Sequence, residues 1–179
     1  MAFFQSFTPH LFLDSIFDLP LDLLRERGIV LFIFDLDNTI VPWKSLDIGE
    51  KTLIWFDELI QNSFKACLLS NNGQERVEGI AKKLGIPFVC NAAKPSAFGF
   101  KQVFAMLQVQ PQQTAVVGDQ LFTDVWGGRR AGCFTILVKP SSQQDFWGTR
   151  NISRRMERLF WPHVMKNMEK FKQNSVSNL

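Results

Sequence analysis

From Ile29 onward, short apolar runs alternate with longer stretches in which apolar positions recur every three or four residues. The short runs, at residues 29–34, 66–69, 88–91, 114–117 and 134–138, hold few polar positions, which predicts strands buried on both faces. The longer stretches, 50–61, 74–84, 96–107 and 123–131, predict helices. Strands of this kind, separated by helices, pair in parallel, so the pattern predicts an α/β fold: a doubly wound, Rossmann-like parallel sheet wrapped by helices. Gly85, Ile86 and Pro87 read as the turn from the second helix into the third strand. The alternation divides the chain into a Phe-rich amphipathic segment, 1–28, a core, 29–145, and a tail, 146–179.

Composition adds bounds rather than a new picture. At 179 residues the chain suits one domain with a sizeable core, and 46% hydrophobic with 21% charged residues excludes a disordered class. The longest unbroken apolar run, 29–34, falls far short of the ~20 residues a membrane-spanning helix needs. The N-terminal stretch has no Lys or Arg ahead of its apolar residues and holds Pro9 and Pro20, which argues against a secretory signal and for a cytoplasmic setting. Cys67, Cys90 and Cys133 lie in or beside apolar runs without a CxxC pair, as small core residues do. Net charge is +3, yet residues 150–172 alone carry +5, so positive charge gathers at one end.

Chemistry enters at the strand ends. In open α/β sheets ligands sit beyond the carboxyl ends of the strands. There the sequence places Asp35 and Asp37 after the first strand, Ser70, Asn71 and Asn72 after the second, Lys94 after the third, and Asp119 with Asp124 after the fourth. Neighbouring carboxylates raise one another's proton affinity unless a cation lies between them, and Mg²⁺ suits a site of several carboxylates that leaves room for water and a phosphate. The only histidines, His10 and His163, lie in the flanks, which leaves no basis for a His-built zinc site. Each residue alone has a plain reading. Asp35 or Asp37 could cap a turn, Asn72 with Glu75 a capping box, Asp124 an acid in a helix's first turn, and Lys94 a surface lysine. Taken in order, DLDNT, SNN, KP and GDQLFTD supply what phosphoryl transfer needs: a carboxylate nucleophile in Asp35, an acid/base in Asp37, phosphate-oxygen donors, and a positive charge in Lys94. Neither GxxxxGK[ST] nor GxGxxG occurs, so a nucleotide-cradling loop is not supported.

These four motifs resemble those of the haloacid dehalogenase (HAD) superfamily over roughly residues 30–125. The resemblance implies a HAD-like fold, with Asp35 as nucleophile, Asp37 as acid/base, and Ser70 and Lys94 as phosphate binders; Asn71, next to Ser70, is a further candidate for substrate binding. It also implies Mg²⁺ held by Asp35, the carbonyl of Asp37 and Asp119, with Asp124 behind these ligands or reaching the ion through a water. An Asp at the second acidic position is similar to the superfamily's phosphatases. Only 33 positions separate Asp37 from Ser70, and 24 separate Ser70 from Lys94, so the chain resembles members without a cap domain. More closely, DLDNTIVPW, LSNN, GIPF, AKP, GDQLFTDVWGG and TILV resemble the YqeG-type phosphatases, a branch similar to phosphatidylglycerophosphate phosphatases. The expected activity is a Mg²⁺-dependent phosphomonoesterase acting on phosphatidylglycerophosphate, with phosphoproteins or soluble metabolites as the alternative substrates and a phosphate-binding scaffold as the non-enzyme alternative.

The flanks suit that expectation. Phe3, Phe4, Phe7, Phe12 and Phe17 precede the core, and Arg154, Arg155, Arg158, Phe160, Trp161 and Lys166 follow it, a mixture fitted to an anionic membrane surface. A phosphorylated lipid head group is then the expected partner, met by a peripheral protein on the inner membrane face, with no nucleic acid. The opposing reading packs the aromatics on the domain and leaves the cations in water. Trp43, just past the first motif, either lines the substrate entrance or is buried.

Overall fold

The computed structural model describes residues 6–141. Six parallel strands form one sheet: β1 (Leu11–Leu13), β2 (Leu31–Phe34), β3 (Lys65–Leu69), β4 (Phe88–Val89), β5 (Thr114–Gly118) and β6 (Phe134–Val138), in the order β1-β6-β5-β2-β3-β4. Around them lie α1 (Leu21–Glu26), α2 (Glu50–Gln61), α3 (Gln74–Leu84), α4 (Ala97–Leu107), and a π-helical turn (Leu121–Trp126) that runs into α5 (Gly127–Arg130). The doubly wound α/β architecture is the one the apolar pattern predicts, and α2 and α3 are the only helices between Asp37 and Lys94. No described helix is long and apolar enough to cross a membrane.

The strand runs are short and unbroken because both faces are covered. All four residues of β2 are buried, and their side chains alternate between two cores. Phe32 and Phe34 join Leu24, Phe56, Leu59, Phe64, Val77 and Ile80 on one face, where Phe34 meets Phe56 edge-on at 5.0 Å. Leu31 and Ile33 join Cys67, Leu69, Phe100 and Val103 on the other. Truncating a fully buried Phe such as Phe34 to Ala would cost about 3–5 kcal/mol. Gly99 lets α4 press on the sheet, since a Cβ there would lie 2.8 Å from the Ala92 Cβ and 2.9 Å from a Leu69 methyl.

Two features depart from the sequence pattern. The third strand ends at Val89 rather than at 91, because Asn91 turns to a left-handed φ of 48° and begins the descent to Lys94. Residues 6–28, expected to lie outside the alternation, add the edge strand β1 beside β6. His10 secures that edge: its backbone N–H donates to the Thr135 carbonyl at 2.8 Å, and its Nδ1 accepts from the Thr135 N–H at 2.9 Å and from the Thr135 hydroxyl at 3.0 Å. Burial, then the charges of Arg129 and Arg27, push the imidazole down to about 4, which keeps Nδ1 an acceptor at neutral pH. Phe7 is buried and stacks on Trp126 at 5.5 Å, while Phe17 meets Trp55 edge-on at 6.1 Å. For these two phenylalanines the packed reading holds. Phe3, Phe4 and the basic and aromatic residues from Arg154 onward lie outside the described residues.

Candidate active site

The carboxyl ends of β2, β3 and β5 and the loop after β4 converge on one place. Asp35 follows β2 directly, and its N–H donates to the Val117 carbonyl at 2.9 Å, so the β2–β5 ladder fixes its backbone. The chain then turns tightly. Asn38 takes a φ of 59°, its N–H donates to the Val41 carbonyl at 2.7 Å, and its Oδ1 accepts from the Trp43 N–H at 3.1 Å. The polar residues in DLDNT therefore build the turn as well as furnish carboxylates.

Lys94 reaches the centre from the opposite side. Past β4, the Asn91 N–H donates to the Asn72 carbonyl at 2.9 Å and the Ala92 N–H to the Ser70 carbonyl at 3.0 Å, so the loop runs alongside the segment after β3. Asn71 then clamps the Lys94 backbone: its Oδ1 accepts from the Lys94 N–H at 2.7 Å and its Nδ2 donates to the Lys94 carbonyl at 3.1 Å. The Lys94 ammonium donates at 2.7 Å to both Asp35 Oδ1 and Asp124 Oδ1, and all three side chains are buried. Asp124 reaches in from the π-helical turn, with its other oxygen accepting from the Gln120 N–H at 3.1 Å. Gly118 makes this possible, because any Cβ there would overlap the Asp124 carboxylate.

Burial pushes the Asp35 carboxyl up to about 6, against the pull of Lys94 and with the help of the Asp124 charge. Burial alone would lower the Lys94 ammonium, but the Asp124 and Asp35 carboxylates outweigh it and hold the group above the usual lysine value. Oxygen atoms of Asp35, Asp119 and Asp124 lie within 4.8 Å of one another. Among the described residues, three buried carboxylates gather around the Lys94 ammonium. An all-oxygen donor set of this kind fits a hard divalent cation such as Mg²⁺.

The remaining sequence candidates divide between this centre and its rim. Ser70 is buried, and its hydroxyl oxygen accepts from Asn72 Nδ2 at 2.9 Å and from the Asn72 N–H at 3.2 Å, which leaves its own proton to donate outward. The Asp37 carboxylate lies outside the three-acid cluster and turns to the start of α3, where Oδ2 accepts from Asn72 Nδ2 and Oδ1 from Arg76 Nη2, both at 2.5 Å. Asn72 is thus no helix cap. The N-cap of α3 is Gly73, without a side-chain bond, and the Asn72 amide serves Asp37 and Ser70 instead. Arg76 was not singled out by sequence reasoning. The only signal for it is its position one helical turn after Asn72, on the face that meets the strand ends. Trp43 is about half exposed at the rim, with the Lys44 ammonium 4.5 Å from its ring centre.

The HAD-hydrolase-like family model matches residues 91–149. The chain is 38% identical over 152 residues to a protein of Bacillus subtilis named probable phosphatase YqeG, covering 85% of this chain and 88% of that one. It is 22% identical over 150 residues to phosphatidylglycerophosphate phosphatase 1, chloroplastic/mitochondrial, of Arabidopsis thaliana, covering 79% of this chain and 43% of the plant protein. In fold it is similar to a hypothetical protein of Xanthomonas campestris, with a TM-score of 0.53 at 14% identity over 89% of this chain and 97% of the other. It is also similar to the cobalt-bound deoxy-D-mannose-octulosonate 8-phosphate phosphatase of Haemophilus influenzae, with a TM-score of 0.51 at 14% identity over 78% and 91%. The fold, the acids gathered at its strand ends and the extent of the Bacillus match agree: the chain belongs to the YqeG phosphatase family of HAD-like hydrolases.

Proposed function

We propose that this phosphatase is a Mg²⁺-dependent phosphomonoesterase working through an aspartyl phosphate on Asp35, and that its substrate is a phosphorylated lipid of the phosphatidylglycerophosphate type. The observation that carries the reaction is the buried pairing of Asp35 and Asp124 through Lys94, with Asp119 beside them and Asp37 at the rim. The β2 ladder holds the Asp35 backbone still, so one carboxylate oxygen can meet phosphorus in line with the leaving oxygen. The Ser70 hydroxyl and the Lys94 ammonium offer donors to the transferring phosphoryl oxygens. Asp37 protonates the leaving alcohol and afterwards takes a proton from the water that releases phosphate. A divalent ion held by Asp35, Asp119, Asp124 and the Asp37 carbonyl would supply charge neutralisation for the buried acids and the phosphate.

The lipid reading is supported by the name of the plant relative and by the shortness of the intervals beside the site, each of which holds one helix. A site without a lid relies on the surroundings of its substrate to exclude water, as a head group at a membrane surface would. The protein would then work as a peripheral enzyme on an anionic leaflet, with Arg154, Arg155 and Arg158 contributing attraction that salt screens. The test is a comparison of purified protein on phosphatidylglycerophosphate in mixed micelles, a phosphopeptide and a set of sugar phosphates. The lipid is expected to give the highest kcat/KM. A phosphopeptide or a soluble ester preferred by tenfold or more would overturn the lipid assignment while leaving the chemistry intact.

A further inference from the structure

Asp35 draws its precision from the sheet, but Asp37 lies two residues along a turn and needs another source. We infer that Arg76 is a positioning residue for Asp37. Its guanidinium, anchored on the loop before α2, holds Asp37 Oδ1 fixed so that Oδ2 is the oxygen that exchanges protons with the leaving group and with water. The inference rests on the acid/base role proposed above for Asp37.

The geometry is that of a strut. Arg76 Nη1 donates to the Ser45 carbonyl at 2.7 Å, and Nη2 donates to Asp37 Oδ1 at 2.5 Å. The two donors belong to one planar fork, so an oxygen on each branch fixes the direction of the group as well as its place. The pair is largely shielded, with side-chain exposures of 19% for Arg76 and 14% for Asp37, so water competes less than at a surface ion pair. The far anchor is itself held, since Lys83 Nζ, also on α3, donates to the Leu46 carbonyl at 2.8 Å. Oδ2 has a different partner. The Asn72 amide that donates to it at 2.5 Å also donates to Ser70 Oγ at 2.9 Å, and that neutral donor stands between Asp37 and a phosphate-binding hydroxyl. Of the two Asp37 oxygens, Oδ2 therefore faces the substrate side, and Oδ1 is committed to the strut.

In the first half-reaction the proton on Oδ2 passes to the leaving oxygen as that oxygen's bond to phosphorus breaks and the Asp35 oxygen bonds to phosphorus. In the second, Oδ2 takes a proton from water while the water oxygen bonds to phosphorus and the bond to Asp35 breaks. Arg76 touches neither the substrate nor phosphorus in this scheme. It keeps Oδ2 aimed through both steps.

The experiment separates aiming from folding by leaving-group chemistry. kcat/KM is measured for p-nitrophenyl phosphate, whose leaving group departs with little acid assistance, and for glycerol 3-phosphate, whose alkoxide needs a proton. The wild type is compared with Arg76→Gln and Arg76→Lys. Arg76→Gln is expected to lose at least about tenfold more on the alkyl ester than on the aryl ester, a fraction of the 10²–10⁴ that general acid catalysis contributes. Arg76→Lys, which keeps the charge but not the fork, is expected to show the same selectivity to a smaller degree and decides the matter if the Gln variant does not fold. Equal losses on both esters, or no loss on either, would overturn the inference. A wild type that hydrolyses neither these esters nor phosphatidylglycerophosphate in mixed micelles would instead count against the reaction proposed above.

Discussion

Replacing Lys94 by Met keeps much of the side chain's length and removes the ammonium that pairs with two buried acids, Asp35 and Asp124. Each of the two 2.7 Å contacts is worth about 6 kcal/mol of gross attraction at an effective dielectric of about 20. Most of that is offset because the ammonium no longer has to be stripped of water. What remains is the cost of leaving buried carboxylates uncompensated, about 3–5 kcal/mol. For a chain of this size that lowers Tm by about 6–20 °C. The charge origin has its own signature. Burial already holds the Asp35 carboxyl at about 6, and without Lys94 it would rise further. A carboxyl raised above its unfolded value binds more protons in the folded state. The destabilisation is then full above the folded pKa and shrinks as pH falls through it. Urea unfolding of wild type and Lys94→Met at pH 5.5 and pH 8, in chelator, measures both effects. A difference under 1 kcal/mol at pH 8, or one equal at the two pH values, would refute the argument that Lys94 is held by charge.

Other consequences follow from the same geometry. Gly118→Ala should displace Asp124, costing about 2–4 kcal/mol in thermal unfolding and about a hundredfold in kcat/KM, because the added Cβ overlaps the carboxylate that pairs with Lys94. His10 is held at about 4 by burial, below its unfolded value, so its contribution is present above about 6.5 and lost as pH falls toward 4. Allowing for partial solvent screening, wild type should lose about 1–2 kcal/mol more than His10→Gln between pH 7 and pH 4.5, and parallel pH profiles would contradict this. Removing divalent ions with chelator should stop turnover, and added Mg²⁺ should restore it and raise Tm; full activity in excess chelator would contradict the fit of the three acids to a cation.

The sheet was legible because burial on both faces leaves strands such as β2 as unbroken apolar runs, and the helices between them kept their period. β1 was not, because Leu11–Leu13 is three residues within a Phe-rich stretch and is defined by partners on β6, more than a hundred positions away. The acids were legible as chemistry because each follows a strand. The partners that each acid meets were not. Asp37 faces α3 rather than the Asp35 cluster, since Arg76 and Asn72 sit one turn apart at the helix start and both donate to it. Asn71, expected as a substrate-binding residue, clamps the Lys94 backbone, a contact that residue type and spacing do not reveal. The segment after Asp119 matched a helix in period, yet its first turns are π-helical, and that widening brings the Asp124 carboxylate back over Gly118 to Lys94.

The central claim is that phosphate passes through Asp35. Enzyme mixed with a labelled phosphate ester for a few milliseconds, quenched in acid and reduced with borohydride would convert an aspartyl phosphate to homoserine, which peptide mass spectrometry can locate. The account predicts homoserine at position 35, none in Asp35→Asn, and no turnover in that variant although it folds. Turnover by folded Asp35→Asn, or homoserine at any other aspartate, would contradict it.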